Sequence, residues 1–274
     1  MSIPFSQNIA VSGSEACDLQ FLNLLAVQLD VAVISPQDLL RRLKSQSLHY
    51  LLYLDDNRLE LRACQGKKTN AVLVDFLEGK SRHRRLYGGG KGQDLIKAIG
   101  LKKIPNATVL DATAGLGGDS FVLATLGCQL TLLERNPIVY HLLNNGLKRV
   151  FDSDDSDVKG ICSRMSLHNQ SAVEYLTQLT SNDHALIPDV IYLDPMFPER
   201  KKSAKVKKEM SFFHDIVGDD SDSHELFEIA LKCATKRVVV KRPRLAETLT
   251  KLKPQFSITG KSTRYDIYHP LTKF

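Results

Sequence analysis

The stretch DVIYLDPMFPERKK, residues 189–202, combines residue types that could do chemistry on a flat, amine-bearing group. Its apolar start predicts a strand buried on both faces, and that strand stops at Asp194. After this residue come two prolines, Phe197 and a run of positive charge. A carboxylate accepts hydrogen bonds from an amino group, and an aromatic ring can stack on a planar ligand. We therefore predict that Asp194 and Phe197 are a catalytic pair at the end of this strand.

A second candidate site, VLDATAGLGGDS at residues 109–120, places a glycine-rich turn between a predicted strand and a predicted helix. Glycine adopts positive φ angles and lets a ligand approach the backbone closely, as a ligand lying across a strand-to-helix turn requires. The glycines that we expect to line this ligand are Gly115, Gly117 and Gly118.

The charge of this turn argues against a diphosphate ligand. A dinucleotide-binding turn would have glycine or alanine where this chain has Ser120, and Asp119 would face a pyrophosphate with the wrong sign of charge. The carboxylates of Asp111 and Asp119 suit a ligand with cationic groups instead, such as the ammonium and sulfonium of S-adenosyl-L-methionine.

Two later strand ends offer groups for the rest of a nucleoside. Glu134 ends the second strand, 19 residues after Gly115, where a carboxylate can accept both ribose hydroxyls of either NAD or S-adenosylmethionine. At the end of the third strand, Gln170 and Ser171 stand where an adenine edge would lie, although Ser171 is equally well explained as a helix cap.

The elements that position these residues alternate between strand and helix from about residue 93 onward. This rhythm predicts an α/β fold with a doubly wound, mostly parallel sheet, closed by an antiparallel hairpin at FSITGKSTRYDIYHP, residues 256–270. Ligands bind outside the carboxyl ends of the strands in such sheets, so Asp194 should lie beside the glycine turn. The acidic stretch FDSDDSDVKG, residues 151–160, is interpreted as a solvated surface insertion.

The first 80 residues have a different pattern. Leucines at helical spacing over 19–29, Ser35-Pro36 as a cap and first helical position, and a hairpin turning at Asp56-Asn57 predict a small α+β domain. The predicted organisation is an N-terminal domain at 1–80, a basic glycine-rich linker at 81–92 and a larger domain at 93–274.

Positive charge is concentrated in two polar segments, the linker region and the run that follows Phe197. The linker region KSRHRRLYGGGKG is either a solvated joint or a phosphate-binding loop, and the run after Phe197 adjoins a predicted base-binding loop. Lys241, Arg242 and Arg244 would add charge to the same rim of the sheet. The candidate RNA-binding residues of the two segments are Arg84, Arg85, Arg200, Lys201, Lys202, Lys205, Lys207 and Lys208.

Composition agrees with a polyanionic partner. Lys and Arg total 37 against 31 Asp and Glu, which gives a net charge of +6. The five cysteines lie far apart without paired spacing, which argues against a disulfide framework or a zinc site and favours buried thiols in a reducing compartment. The N-terminus lacks a basic segment followed by an apolar one, and no apolar run is long enough for a membrane span, so we expect a cytoplasmic protein.

The segment DPMFP resembles the Asp/Asn-Pro-Pro-Tyr/Phe loop of methyltransferases that act on exocyclic amines of bases. In that loop the acid and a following backbone carbonyl accept hydrogen bonds from the target amine, and the aromatic ring stacks on the base. The amine lone pair is delocalised into the ring, so two acceptors favour the pyramidal nitrogen that can attack a methyl group. Met196 stands where the second proline is usual.

With DATAGLGGDS, LLER, LDPMFPERKKSAKVKKEM and RLYGGGKGQDL in view, the chain resembles the small-subunit ribosomal RNA methyltransferase J family, bacterial enzymes that methylate N2 of a 16S ribosomal RNA guanosine. The resemblance implies a Rossmann-like methyltransferase sheet, S-adenosylmethionine as cofactor, 16S ribosomal RNA or the small subunit as partner, and no metal. It also implies cofactor contacts at Gly118, Asp119, Glu134, Arg135, Gln170, Ser171 and Asp194.

Other functions remain open on the residues alone. The loop chemistry serves an adenine-N6 methyltransferase on RNA or DNA equally well, because both targets are exocyclic amines. A non-catalytic RNA-binding assembly factor would keep the fold without a working site, and a nicotinamide-dependent dehydrogenase would share the ribose-binding carboxylate.

Overall fold

The computed structural model describes residues 8–45, 47–65, 71–78, 90–181, 187–196, 216–218 and 222–271, with only the backbone for 90–93. These residues form two compact units. The first contains the described residues up to Val74 together with 137–153 and 216–218, and the second contains the others. Residues 137–153 thus group with the N-terminal unit rather than with the rest of 93–274, and the domain bounds drawn from the sequence stay a prediction.

Helices and strands alternate along much of the described chain. In chain order they are β1 (Ile9–Gly13), α1 (Leu19–Leu29), β2 (Ala32–Val33), α2 (Pro36–Lys44), β3 (Tyr50–Asp55), β4 (Arg58–Ala63), α3 (Gly90–Ile99), β5 (Thr108–Asp111), α4 (Gly118–Thr125), β6 (Gln129–Leu133), α5 (Pro137–Asp152), α6 (Ser156–Cys162), β7 (Met165–His168), α7 (Ala172–Thr180), β8 (Val190–Leu193), α8 (Ser223–Cys233), β9 (Arg237–Pro243), β10 (Phe256–Thr259) and β11 (Thr263–Tyr268).

The first unit is built on a four-stranded sheet in the order β2-β1-β3-β4. The predicted hairpin is confirmed: β3 and β4 are antiparallel, and Asp56 turns the chain with a φ of 53°. The predicted cap is also confirmed, because Ser35 Oγ accepts a hydrogen bond from Asp38 N at 3.1 Å and Pro36 begins α2. The parallel strands β1 and β2 were not predicted.

Helix α5 contacts the rest of the first unit through Asn145 and Gly146. Asn145 accepts from Leu59 N at 3.0 Å and donates to Asn57 O at 2.9 Å, which ties the helix to β4 and its turn. Gly146 permits close approach, since a Cβ there would meet Val74 Cγ1 at 2.5 Å.

The second unit contains a seven-stranded sheet in the order β10-β11-β9-β8-β5-β6-β7. Pairs from β7 through β9 are parallel, and β11 and β10 complete the sheet in antiparallel fashion. The predicted doubly wound, mostly parallel sheet with a terminal hairpin is therefore confirmed. Strand order reverses around β5, so the carboxyl ends of β5, β6 and β8 surround the crevice where such sheets bind ligands.

Helices α7, α8 and α3 pack against this sheet. On one face, α7 and α8 bury side chains against β8 and β9, including Leu176, Phe227 and Val240. Helix α3 packs against β9, β10 and β11, and Arg237 donates from the sheet to Ala98 O at 2.9 Å. The interpretation of 151–160 as a solvated insertion is wrong in part, because α6 begins within it and Val158 is fully buried.

All five cysteines are free thiols; four of them are buried, and Cys64 is half-buried. Within the described ranges, no helix has both the length and the apolar character needed to cross a bilayer.

Candidate functional site

The carboxyl ends of four neighbouring strands of the large sheet bring together the charged residues of the site. Asp111 ends β5, Glu134 follows β6, Asp194 follows β8, and Lys241 lies near the end of β9. Parallel pairing places these ends at one edge of the sheet, where the sequence predicted that the two candidate sites would meet.

The glycine turn between β5 and α4 depends on two left-handed residues. Gly115 has a φ of 54° and Gly117 a φ of 72°, a region that side chains with a Cβ rarely enter. Gly117 N donates to Ala114 O at 2.9 Å, and α4 begins at the next residue. The turn therefore presents backbone N–H groups at a helix start beside the strand ends.

Asp111 is buried at the base of this turn, with 2% of its surface exposed. Ser120 Oγ donates to its Oδ2 at 2.5 Å, and Thr113 N donates to its Oδ1 at 3.2 Å. Burial raises the pKa of Asp111 to about 7, and the carboxylates of Asp119 and Asp194 add to that rise, while the two hydrogen bonds oppose it. The contact with Ser120 was not predicted, because this serine was noted only as a departure from the glycine or alanine of a dinucleotide-binding turn.

One ammonium group links the glycine turn to the predicted catalytic acid. Lys241 Nζ donates to Asp119 Oδ2 at 2.7 Å and to Asp194 Oδ2 at 2.6 Å. Burial alone would lower the pKa of Lys241, but the two carboxylates outweigh it and hold that pKa above its ordinary value. Lys241 is therefore a cation throughout the working pH range.

Each of the two acids has a second positioning contact. The hydroxyl of Tyr192, a β8 residue that is 1% exposed, donates to Asp119 Oδ2 at 2.7 Å. Asp194 donates its backbone N–H to Thr113 Oγ1 at 2.6 Å. Burial, followed by the nearby carboxylates, raises the pKa of Tyr192 well above its ordinary value, so it stays a neutral donor.

The expected basic rim on β9 is wrong for two of its three members. Lys241 forms ion pairs with two carboxylates, and Arg242 is buried with its Nε donating to Glu247 O at 2.9 Å. A lysine directly after three valines of a buried strand was a signal for this, because a buried ammonium requires acidic partners. Arg244 alone is exposed.

Glu134 is fixed against the glycine turn. Its Oε2 accepts from Gly115 N at 2.9 Å and its Oε1 accepts from Asn136 N at 2.7 Å, while Asn169 donates to its backbone carbonyl at 2.8 Å. The carboxylate predicted to accept ribose hydroxyls thus lies against the turn that would hold the rest of the nucleoside.

The remaining predicted cofactor contacts follow β6 and β7. Arg135 Nη1 lies 2.8 Å from Asp222 Oδ1, Gln170 Nε2 donates to Gln178 Oε1 at 3.3 Å, and Ser171 is the N-cap residue of α7 without a side-chain capping bond. Their roles toward a cofactor stay predictions.

Some predicted residues lie outside the described residues. They are Phe197 and the candidate RNA-binding residues Arg84, Arg85, Arg200, Lys201, Lys202, Lys205, Lys207 and Lys208.

The donor set fits S-adenosylmethionine. The carboxylates of Asp119 and Asp194 share the single ammonium of Lys241, and the nearby Asp111 interacts with both acids, so this edge of the sheet is acidic and suits a ligand bearing ammonium and sulfonium groups. Glu134 remains the residue predicted to accept from a ribose. Among the described residues, no group of three or more His, Cys, Asp or Glu side chains could hold a metal ion.

Comparison with known proteins agrees with this geometry. The family described as "Putative SAM-dependent methyltransferase" matches residues 37–270. The crystal structure of an SAM-dependent methyltransferase from Neisseria gonorrhoeae superimposes with a TM-score of 0.71 at 33% identity, covering 97% of both chains.

Two curated relatives bear the same name, Ribosomal RNA small subunit methyltransferase J. The one from Tolumonas auensis is 50% identical over 234 residues, which cover 84% of this chain and 91% of the relative. The one from Photobacterium profundum is 49% identical over 220 residues, which cover 80% of this chain and 85% of the relative. With this identity over 80% or more of the chain, and with the acidic edge suited to its cofactor, the chain belongs to the S-adenosylmethionine-dependent methyltransferases of the ribosomal RNA small subunit methyltransferase J family.

Proposed function

We propose that the protein transfers a methyl group from S-adenosylmethionine to the exocyclic N2 amine of a guanosine in 16S ribosomal RNA. The observation that carries this proposal is the link from Asp119 in the first turn of α4, directly after the glycine turn, through Lys241 to Asp194 at the start of the DPMFP segment. An acceptor for the target amine and the acidic pocket for the cationic cofactor are thereby held within one ion-pair network.

Asp194 orients the amine in this proposal. Lys241 on Oδ2 and Thr113 on the backbone N–H set the direction of the carboxylate, and a carboxylate offers about four lone-pair positions, so it can accept a hydrogen bond from the amine as well. Holding the amine in line with the methyl group supplies most of the rate gain, as positioning and electrostatics do in other group transfers.

When bound, S-adenosylmethionine supplies a methyl group on a cationic sulfur that leaves as a neutral thioether. The carboxylates of Asp111 and Asp119 are proposed to balance the cationic groups, and Glu134, which accepts from Gly115 N on the glycine turn, is proposed to accept from the ribose as well. Phe197 is proposed to stack on the target base, and the basic residues on either side of it in sequence to contact phosphates. A ribosomal RNA substrate implies a protein that works in the cytoplasm.

The test is methyl transfer with labelled S-adenosylmethionine to small ribosomal subunits, naked 16S ribosomal RNA and DNA, all from a strain in which the gene is deleted. Nuclease digestion then identifies the labelled nucleoside. We expect N2-methylguanosine from ribosomal RNA and no label in DNA. Labelled N6-methyladenine would contradict the guanosine assignment, and the absence of any label together with no calorimetric binding of S-adenosylmethionine would favour a non-catalytic assembly factor.

A further inference from the structure

A cavity of about 660 Å³ opens in the second unit between α3 and the hairpin formed by β10 and β11. This volume falls within the range of about 300–1,000 Å³ that ligand sites occupy. The side chains that give the cavity its chemical character are those of Asp94, Arg244, Lys261, Ser262, Thr263 and Tyr265.

Strand register connects this cavity to the proposed active site. Tyr265 of β11 is paired with Lys241 of β9, whose ammonium contacts Asp194. Thr263 is paired with Pro243, two residues and about 7 Å further along the strands. The cavity therefore begins beside Lys241 and extends outward over the carboxyl edge of the sheet.

The charge of the cavity is opposite to that of the cofactor site. Arg244 and Lys261 are both exposed, and neither has a carboxylate partner in the part of the chain that the structure describes. Asp94 lies 3.6 Å from the ammonium of Lys97, which offsets its negative charge. Hydroxyl groups of Ser262 and Thr263 add hydrogen-bond donors. Arginine, lysine and hydroxyl donors are the groups that contact phosphate oxygens in nucleic acids.

The backbone around these cations is held in place. Arg264 Nη1 donates to Ala246 O at 2.9 Å and to Arg244 O at 3.2 Å, and Arg244 N donates to Ser262 O at 3.0 Å. At the hairpin turn, a Cβ on Gly260 would meet Asp94 Oδ2 at 2.9 Å, so α3 and the turn are in close contact. The cavity is therefore organised before any ligand arrives, which lowers the entropic cost of binding.

We propose that this cavity binds the phosphodiester backbone of the RNA substrate next to the target nucleoside, with Arg244 and Lys261 contacting phosphate oxygens. The inference rests on the proposed function, because it names the substrate contact that accompanies entry of a base toward Asp194. In this proposal S-adenosylmethionine binds near Asp119 and Asp194, and the RNA backbone binds near Arg244 and Lys261.

The experiment compares two double charge reversals with the same change in net charge. Arg244→Glu with Lys261→Glu alters the cavity, and Lys251→Glu with Lys253→Glu alters two exposed lysines that are not among its lining residues. Binding of 16S ribosomal RNA is measured by filter retention over a range of salt concentrations, binding of S-adenosylmethionine by calorimetry, and the fold of each variant by thermal melting.

The cavity variant should bind RNA at least about ten-fold more weakly at 0.1 M salt, and its slope of log K against log salt should be smaller in magnitude by roughly 1.4 to 1.8, which corresponds to two lost phosphate contacts. The control variant should retain RNA affinity within about three-fold, and both should bind S-adenosylmethionine as the unaltered protein does.

Equal losses in both variants, or an unchanged salt slope in the cavity variant, would overturn the proposal. RNA retention requires no turnover, so its result decides about the cavity even if the unaltered protein transfers no methyl group. Such a lack of transfer would count against the proposed function alone.

Discussion

Lys241 Nζ lies 2.6 Å from Asp194 Oδ2, and this ion pair orients the acid proposed to hold the target amine. The same ammonium contacts Asp119 of the glycine turn at 2.7 Å, so the lysine spans both halves of the site. The lysine side chain is 25% exposed and that of Asp194 is 40% exposed, so solvent screens this ion pair only in part.

Replacing Lys241 with Met should reduce kcat by at least about ten-fold, because Asp194 loses the contact that fixes its direction. Affinity for S-adenosylmethionine should be unchanged or higher, since the carboxylates lose their competing cation. Steady-state kinetics and calorimetry measure the two quantities separately.

The variant Lys241→Arg keeps the positive charge and should recover part of the lost rate. If Lys241→Met weakened cofactor binding as much as it lowered kcat, the lysine would serve the integrity of the pocket rather than the position of Asp194.

Asp194→Ala should reduce methyl transfer by at least about a hundred-fold, which is the usual cost of removing a group that contacts the reacting atoms. RNA affinity should be largely retained, because phosphate contacts dominate that affinity. The control is Asp157→Ala, which removes an exposed carboxylate in the first turn of α6. A normal turnover rate for Asp194→Ala would refute the proposed role of the acid.

Tyr192→Phe should weaken S-adenosylmethionine binding by about five- to ten-fold, which is less than the full loss of a hydrogen bond to a charged group because the hydroxyl acts on the ligand only through Asp119. The hydroxyl that it removes donates to Asp119 Oδ2 at 2.7 Å. Tyr268→Phe is the matched control, since the Tyr268 hydroxyl has no hydrogen-bond partner among the described residues and its ring packs on Phe227. Calorimetry that found equal affinities for the two variants would show that Tyr192 does not position Asp119.

Affinity for S-adenosylmethionine should rise about ten-fold between pH 6 and pH 8, because Asp111 ionises near its pKa of about 7 and a cationic ligand favours the ionised form. Asp111→Asn should abolish this dependence while keeping an acceptor for Ser120 Oγ. Calorimetry across this pH range measures both proteins. An equally steep dependence in Asp111→Asn would assign the titration to another group.

The same group affects stability in the opposite direction. The folded protein holds the Asp111 proton more tightly than the unfolded chain does, so the contribution of this group to stability is full below about pH 4 and is lost as pH rises through about 7. Asp111→Asn should therefore have a flatter dependence of its unfolding free energy on pH over this interval.

Arg264→Met should lower the free energy of unfolding by about 3 to 5 kcal/mol, because it leaves the fully buried carboxylate of Asp266 without its cation. Urea denaturation measures this change. Arg41→Met, which breaks an exposed ion pair with Asp38, should cost no more than about 0.5 kcal/mol. A similar small cost for Arg264→Met would show that the carboxylate finds another partner or water.

Features set by local pattern could be predicted from the sequence. The Asp56 hairpin turn, the Ser35 cap and the left-handed glycines after β5 each depend on residues within a few positions of one another. The acids at the ends of β5 and β8 were also predicted, because alternation of strands and helices indicated which edge they share.

Contacts between distant segments could not be predicted in this way. The two hydrogen bonds of Lys241 join residues 47 and 122 positions apart, so neither spacing nor periodicity reveals them. Residues 151–160 were likewise assigned to solvent because of their charge, but Asp155 caps α6 by accepting from Val158 N at 3.0 Å. A run of acids can start a helix as well as cover a surface.

The pairing of β11 with β9 limits where residues can be inserted or deleted in the hairpin of β10 and β11. Tyr265 and Asp266 point to opposite sides of the sheet, the first toward Lys241 and the second toward Arg264. A residue inserted between Arg264 and Tyr265 would exchange these sides, turning the tyrosine away from its lysine neighbour and separating the aspartate from its arginine. Natural insertions and deletions in this hairpin should therefore be confined to the turn at 260–262.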